Sequence, residues 1–402
     1  MNPSTVASRS LARAQRSMVN SHVAFDLWPP LLRGDPSVDS SDINYPVEVD
    51  FDLSAVPPGF FAQDAAPGLE RWQALLPPLD ARVDLGAGGT PLVAVPALAD
   101  YAGLDCEVFV KDESHNPTWS HKDRLNVVTV SAALHVGAPG VVAATSGNHG
   151  VSAAAHAAHA GIGCVVVVPA TLPVAMRDLL TAYDAEIIVA PRQQRWSVLE
   201  EVAARRGYHP VSNLTATHTG HPFGPESYKT IAYEIHRQLG DQVPTAVFVP
   251  TGYGELLFGV WKGFDELRRT GVTTRVPRMM ACEPAARGPL AAALRQGLPA
   301  THVPDRPTRA FSIATTVSSY RAVRAVQDSG GAALLLTDAE LDAAQRVLAR
   351  SGFWQELSGA AGVAGLRAHA HGGEPMAGPV VCIATSSGLK DPSTATGGHI
   401  PP

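Results

Sequence analysis

The sequence predicts an α/β protein of two domains, with parallel-rich, twisted β-sheets flanked by helices. Three observations favour this fold class. Short apolar runs alternate with helix-length amphipathic runs from residue 93 to residue 384, as in parallel strands joined by helices. A chain of 402 residues is long enough to bury two cores. Loops of glycine and small polar residues directly follow several predicted strands, where ligands bind in open α/β sheets.

The individual elements follow from apolar periodicity. After a glycine-rich turn at 84–92, strands are predicted at 93–95, 106–113 and 141–144, and a helix with an apolar face begins just after Lys122. An alanine-rich helix follows residue 148. Further strands are predicted at 164–168, 186–189, 246–249, 278–282 and near 332–336 and 379–384. Further helices are predicted at 175–183, 197–206, 227–239, from the 251–256 loop to 269, and near 319–328, 338–350 and 357–370.

The domain organisation is predicted from the same pattern. A small domain at 116–215 is inserted into a large domain made of 46–115 and 216–402. Residues 1–45 form an N-terminal arm that we expect to be partly disordered or lid-like. Its first 25 residues carry three arginines and no acid, so an organelle transit peptide is the alternative interpretation.

Composition excludes several classes of function. A formal net charge of −6 and the absence of a basic cluster argue against a nucleic-acid partner. No apolar run is long enough to span a bilayer. The four cysteines are far apart and lack CxxC spacing, which indicates free thiols in a reducing, cytoplasmic setting. His156 and His159 stand three apart on a helix without a third ligand nearby in sequence, so no metal site is predicted.

Lys122 is the first candidate functional residue. The chain has only five lysines among its 31 basic residues, and this one follows a Pro-containing turn at the head of an apolar helix. An amine forms an imine with an aldehyde, whereas a guanidinium stays protonated and does not. Taken alone, the residue is equally compatible with a solvated surface lysine.

A glycine loop at 250–259 is the strongest ligand-binding motif. Gly252 and Gly254 let the backbone approach an anion closely, and the following helix offers free N–H groups and its positive dipole end. The G-x-G-x-x-x-x-G spacing matches neither the dinucleotide fingerprint nor a Walker loop. The loop therefore predicts a phosphate cradle, with a tight strand-to-helix turn as the alternative.

Two further loops supply polar side chains. Asn148, at a strand-to-helix turn, could donate its amide to a ligand or simply cap the helix. Thr385 follows an apolar strand. Its hydroxyl could contact a ring nitrogen of a ligand, or the residue could simply form part of a polar C-terminal turn. A reactive lysine, a phosphate cradle, an amide donor and a hydroxyl are together the parts needed to hold pyridoxal phosphate.

The chain also resembles a known family, from about residue 85 to residue 391. The matching segments are Gly-Gly-Thr-Pro-Leu at 88–92, Val-Lys-Asp-Glu at 110–113, Asn-Pro-Thr at 116–118, Lys-Asp-Arg at 122–124, Ser-Gly-Asn at 146–148, the glycine loop with Trp-Lys-Gly-Phe at 261–264, Ser-Ile-Ala at 312–314, and 385–391. Their order and separations are similar to those of threonine synthase and its relatives, the fold type II or tryptophan-synthase-β-like pyridoxal-phosphate enzymes. The resemblance implies that the cofactor lies in the cleft between the two domains.

The resemblance implies a role for each matching residue. Lys122 would be the Schiff-base lysine and the base at the substrate Cα, Asn148 would bond the cofactor O3′, and Thr385 would contact the pyridine nitrogen. The phosphate would be bound by the backbone of Gly252, Tyr253, Gly254, Glu255 and Leu256. The candidate substrate-binding residues are Thr118, Trp119, Ser120, His121, Arg124 and Ser146.

Two departures from the family pattern bear on the substrate. Where relatives have Gly-Ser-Phe before the lysine, this chain has Trp119, Ser120 and His121. A bulky ring and a titratable imidazole beside the nucleophile put O-phosphohomoserine in doubt as substrate. If the ring points away from the cleft, the tryptophan is merely a structural departure.

The resulting prediction is a lyase that acts by β/γ-elimination or replacement on an amino acid with an activated side chain. A serine/threonine dehydratase-like deaminase is the alternative enzyme. A regulatory relative that binds cofactor or amino acid without catalysis is the alternative of another class. The expected partners are a small-molecule amino acid and a second copy of the chain in a homodimer.

Overall fold

The computed structural model of the protein describes residues 10–39, 43–64, 66–373 and 376–391. Within these ranges the chain forms three sheets. The strands are β1 Ala12–Ser17, β2 Ala24–Asp26, β3 Val47–Phe51, β4 Leu92–Ala94, β5 Val108–Asp112, β6 Gly140–Ala144, β7 Gly163–Val168, β8 Glu186–Val189, β9 His209–Pro210, β10 Ala246–Pro250, β11 Arg278–Pro284, β12 Ala332–Leu336 and β13 Val380–Ala384. The helices are α1 Pro96–Ala102, α2 Lys122–His135, α3 Asn148–Ala160, α4 Val174–Ala182, α5 Arg195–Arg206, α6 Gly224–Gln238, α7 Glu255–Arg269, α8 Pro289–Gln296, α9 Tyr320–Ser329, α10 Asp338–Arg350 and α11 Ala361–His371.

The large sheet has six strands in the order β12–β11–β10–β13–β5–β4. Strands β12 to β5 are parallel to their neighbours, and only the edge strand β4 runs antiparallel. β10 is buried along its whole length, since helices cover both faces, and it therefore appears in the sequence as an unbroken apolar run. The predicted parallel-rich α/β fold is confirmed.

The small sheet has four parallel strands in the order β8–β7–β6–β9 and lies within residues 140–210. Helix α2 packs against α3 on the small-sheet side and against α6 on the large-sheet side. The first residue of α2 is Lys122, so the helix that connects the two layers also carries the candidate nucleophile.

The N-terminal arm is ordered in its described part. β1 pairs with β2 and with β3 in an antiparallel sheet. Gln15 explains the order, because it is fully buried and its amide donates to the carbonyls of Asp26 and Pro29 at 2.9 Å each. Its Oε1 in turn accepts the N–H of Leu31 at 2.8 Å. No helix in the described ranges is long and apolar enough to cross a membrane.

A buried ion network joins α2, α6 and β5. Arg124 donates to Glu113 from Nε at 2.8 Å and to Glu234 from Nη1 at 2.6 Å. Lys111 Nζ lies 2.7 Å from the other oxygen of Glu234. All four side chains are essentially inaccessible to solvent. Burial opposes ionisation of Glu234, but the charges of Arg124 and Lys111 outweigh it and lower the pKa of this carboxyl to about 2.

This network generates a stability prediction. We expect Glu234→Ala to lower the free energy of unfolding by about 3–5 kcal/mol, because two buried cations would then share a single carboxylate. The control lies in the loop after the same helix: Asp241→Asn removes the exposed charge paired with Arg237, keeps a residue that tolerates the left-handed backbone at φ +64°, and should cost about 1 kcal/mol or less. Urea unfolding followed by circular dichroism measures both. Equal losses in the two variants would show that the network does not stabilise the fold.

Candidate functional site

A cavity lies where β6, β10 and β13 end and where α2, α3 and α7 begin. Ligands bind at this edge of parallel sheets because the strand-to-helix loops converge there. The sequence-predicted site residues that line it are His121, Lys122, Ser146, Asn148, Gly252, Tyr253, Gly254, Glu255, Leu256 and Thr385. Residues distant in sequence thus meet in one cleft.

Lys122 differs from every other lysine of the chain. Lys111, Lys229 and Lys262 are buried in ion pairs with glutamates, and Lys390 donates to the carbonyl of Thr118 at 2.6 Å. Lys122 lines the cavity and has no described carboxylate within 4.0 Å. Burial lowers its pKa, which favours the nucleophilic, neutral amine.

The glycine loop connects β10 to α7 and presents the start of that helix to the cavity. Gly254 caps the helix at φ +86°, and a Cβ built there would come within 2.3 Å of the Ala322 Cβ. Glycine is therefore required both by backbone conformation and by space. The N–H groups of the first turn have no intrahelical acceptor, so they are available to an anion.

Glu255 introduces an acid at this cradle. It is the first residue of α7, and its side chain folds against Gly220, where a Cβ would meet the Glu255 Oε1 at 2.1 Å. Burial raises the pKa of this carboxyl, although the charges of Lys122 and Arg321 act in the opposite direction. The acid is therefore more readily protonated than an exposed glutamate.

Asn148 is held by partners that the sequence did not indicate. Its amide nitrogen donates to both oxygens of Glu356, at 3.1 and 3.0 Å, and its Oδ1 lies 3.1 Å from the hydroxyl of Ser386. Burial raises the pKa of the Glu356 carboxyl, which also lines the cavity. Because Asn148 and Glu356 are 208 positions apart, no local pattern could have paired them.

Thr385 and His121 meet across the cleft. The backbone carbonyl of Thr385 accepts from the His121 N–H at 3.0 Å and lies 3.2 Å from its Nδ1, so this ring nitrogen carries the proton. Burial, followed by the charge of Lys122, holds the pKa of His121 well below its usual range. Burial therefore favours the neutral form of the imidazole beside the lysine.

The lining fits pyridoxal phosphate. Thr315 Oγ1, His218 Nδ1 and His149 Nε2 are buried at the cavity and have no hydrogen-bond partner among the described residues. Buried polar atoms are normally hydrogen-bonded, so these three mark positions for polar groups of a ligand. Lys122 supplies the amine that an aldehyde needs, and the loop before α7 supplies donors for a phosphate.

Four of the candidate substrate residues lie outside the cavity lining. The guanidinium of Arg124 is bonded to glutamates and threonines in the buried network, so it serves the fold rather than a ligand. Thr118 donates to Asp123 at 2.6 Å. Ser120 pairs with the 385–388 loop through an isolated bridge. Trp119 is 41% exposed, and its carbonyl accepts the Ser387 N–H at 3.0 Å.

The backbone of Trp119 has the conformation that a glycine at this position would adopt freely. Its φ is +60°, in the left-handed region that glycine adopts freely and that a bulky side chain seldom occupies. The turn before Lys122 thus keeps the conformation expected of a glycine, and Trp119 is not among the residues that line the cavity.

The structure adds two arginines that the sequence analysis missed. Arg195 is the first residue of α5, only 7% exposed, and it lines the cavity without a described carboxylate within 4.0 Å. Its closest hydrogen-bond partner is the Arg192 carbonyl, 3.5 Å from Nε. Arg192 lines the same wall and donates to the Ala314 carbonyl. The sequence offered one signal for them, namely two arginines close to the start of a helix.

Comparisons with known proteins agree with this geometry. The family model described as "Pyridoxal-phosphate dependent enzyme" matches residues 83–386. Threonine synthase of Synechocystis sp. is 35% identical over 332 residues, which cover 81% of this chain and 84% of the relative. Threonine synthase of Mycobacterium leprae is 37% identical over 317 residues, covering 78% of this chain and 85% of the relative.

Solved structures share the fold. Maize serine racemase superposes with a TM-score of 0.64 at 20% identity, over 74% of this chain and 88% of that chain. An O-ureido-L-serine synthase superposes with a TM-score of 0.60 at 25% identity, over 75% of this chain and 90% of that chain. The chain therefore belongs to the family of pyridoxal-phosphate-dependent enzymes, as a lyase of the threonine synthase-like type.

Proposed function

We propose that this enzyme carries out β- or γ-elimination or replacement on an amino acid whose activated side chain bears a negative charge, with Lys122 as the residue that binds the cofactor. The observation that carries the assignment is the state of Lys122. It is the lysine that lines the cavity without a carboxylate within 4.0 Å among the described residues, opposite a loop that offers free N–H groups. The relatives named threonine synthase support a reaction of this kind.

Bound pyridoxal phosphate would supply an electron sink for the substrate Cα. Residues of the chain would position the cofactor. The N–H groups from Gly252 to Leu256 would hold its phosphate, Asn148 would meet its ring oxygen, and the Thr385 hydroxyl would face the ring nitrogen. Hydrogen bonds to Glu356 and Ser386 fix the orientation of the Asn148 side-chain amide. Lys122, once released by the substrate amine, would take the proton from Cα.

Arg195 and Arg192 support a charged substrate side chain. A buried guanidinium without a carboxylate is costly, so its position in the cavity wall favours a ligand that brings the missing negative charge. The N-terminus of α5 adds its positive dipole end at the same place. Since the Trp119 ring is not part of the lining, it does not argue against phosphorylated four-carbon amino acids.

The oligomeric state and the cellular compartment are inferred separately from the reaction. We infer a reducing compartment such as the cytoplasm, because all four cysteines are free. The homodimer is carried over from the family resemblance. Light scattering on a size-exclusion column tests the dimer, and a monomeric mass would refute it.

The first prediction concerns the cofactor. The purified protein should show a visible absorbance band, which Lys122→Ala and Lys122→Arg should both abolish, because neither side chain forms an imine. The matched control is Lys262→Arg, a change at a buried lysine paired with Glu226, which should keep the band. Absorbance spectra of the four proteins decide the matter, and a band that survives in Lys122→Ala would sink the assignment.

The second prediction concerns Glu255. Its raised pKa keeps the acid protonated to higher pH than usual, and ionisation would place a negative charge beside the cofactor phosphate. Affinity for pyridoxal phosphate should therefore fall as pH rises, whereas Glu255→Gln should flatten this dependence and bind more tightly at high pH. Fluorescence titration of the apoenzyme measures the affinity. The same pH dependence in both proteins would place the Glu255 carboxyl away from the phosphate.

The third prediction concerns the substrate. In a panel of amino acids activated by phosphate or by an uncharged acyl group, the phosphorylated compounds should be preferred. Arg195→Leu should raise their KM by about tenfold or more, the effect of one charge-assisted hydrogen bond, and leave acylated compounds unaffected. Arg205→Leu is the control, on the same helix but in an exposed pair with Glu201. Release of phosphate, ammonia and keto acid distinguishes replacement from deamination, and equal effects on both classes of compound would refute the anion contact.

A further inference from the structure

Tyr228 lies directly beside the candidate nucleophile. It belongs to α6, is fully buried, and its hydroxyl is 3.3 Å from the Lys122 Nζ. The amine is 5.6 Å from the centre of the phenol ring, so the hydroxyl is the part of the side chain that it contacts. The sequence analysis treated this position only as part of a helix.

The hydrogen-bond count of this pair favours one protonation state of the lysine. Among the described residues, the Tyr228 hydroxyl has no hydrogen-bond partner other than Lys122. When the amine is neutral, its lone pair accepts the phenol proton and both groups are satisfied. When the amine is an ammonium, the phenol oxygen can accept, but its own proton is left without an acceptor in a buried place, which is costly.

Burial, helped by nearby carboxylates, favours the protonated phenol. Burial, followed by the charges of Glu255, Glu113 and Asp123, raises the pKa of Tyr228 well above its usual value, with Arg124 acting in the opposite direction. Glu255, from α7, is the acid that favours the ammonium form of Lys122. The other titratable groups that face the pair are the histidines His121, His149 and His218, whose pKa values are all lowered by burial.

Tyr228 is also held firmly in place. Its neighbour Lys229 bonds to Glu266 of α7 and to Glu226 at 2.8 Å each, which fastens this turn of α6. One turn further along, Glu234 fastens the same helix to Arg124, two residues beyond Lys122. The distance between the hydroxyl and the amine is therefore set by two buried networks rather than by a flexible loop.

We propose that Tyr228 is a positioning residue that holds the Lys122 amine in its neutral form, with its lone pair directed along the hydroxyl. This inference rests on the proposed function, in which Lys122 captures the cofactor aldehyde and later takes a proton from the substrate Cα. In that later step the phenol hydroxyl turns away and frees the lone pair of Nζ, which forms the new N–H bond, while the electron pair of the broken C–H bond stays on the substrate. The phenol oxygen then accepts one N–H of the ammonium until the proton is returned.

The test uses the apoenzyme and free pyridoxal phosphate. The rate at which the visible band forms, measured by stopped flow from pH 6 to pH 10, should follow the neutral fraction of Lys122. We expect Tyr228→Phe to raise the apparent pKa of that profile by about one unit, with a rate about tenfold lower at neutral pH, as for the loss of one hydrogen bond. Tyr228→Gln keeps a donor at this position and should restore part of the shift.

Tyr233→Phe is the matched control. Tyr233 is another fully buried tyrosine of α6, but its hydroxyl bonds to Glu266 and it does not touch Lys122. Its removal should change thermal stability without moving the pH profile. A Tyr228→Phe profile that coincides with the wild type, in a protein with an unchanged melting temperature, would overturn the inference. Absence of any band in the wild type would instead refute the proposed function, so the two failures are distinguishable.

Discussion

The pairing of Arg124 with Glu113 and Glu234 is the interaction on which the rest of the site depends. Two cations and two acids are withdrawn from water together, and each is tolerable only because the others compensate it. The network fixes α2 against α6 and β5, and the same α2 begins with Lys122. A guanidinium that presents fixed, planar donors is better suited to this junction than an ammonium would be.

The N-terminal sheet adds a second layer of restraint on the other side of α7. Lys262 donates to the Val49 carbonyl at 2.8 Å, and Arg321 donates to the Val47 carbonyl. Both acceptors belong to β3, which pairs with β1 of the arm. The backbone of β3 thus satisfies buried cations of helices that adjoin the cradle, and the arm contributes to the environment of the site without touching the cavity.

Local patterns predicted most of the fold, because strands and helices in this chain follow simple apolar periodicity. The strands predicted at 186–189 and 332–336 coincide with β8 and β12, and the predicted helix at 338–350 coincides with α10. The site loops were found for a similar reason: glycine and small polar residues mark strand-to-helix turns. Partners brought together only by packing were not found. Glu356 beside Asn148, Tyr228 beside Lys122 and Arg195 in the cavity wall have no signature in their own neighbourhood.

The distribution of lysine has a practical consequence for amine chemistry. Four of the five lysines are buried and engaged, and the fifth lines the cleft, so the permanent positive charge of the described surface is carried by arginine. Reagents that acylate or cross-link primary amines find almost no side chain to modify on the folded exterior. Slow modification of Lys122 by such a reagent would therefore report on access to the cleft, and a ligand that seals the cleft would protect this lysine. Immobilisation of the native enzyme through lysine side chains would be inefficient for the same reason, whereas arginine-directed or carboxylate-directed coupling would have many more sites to use.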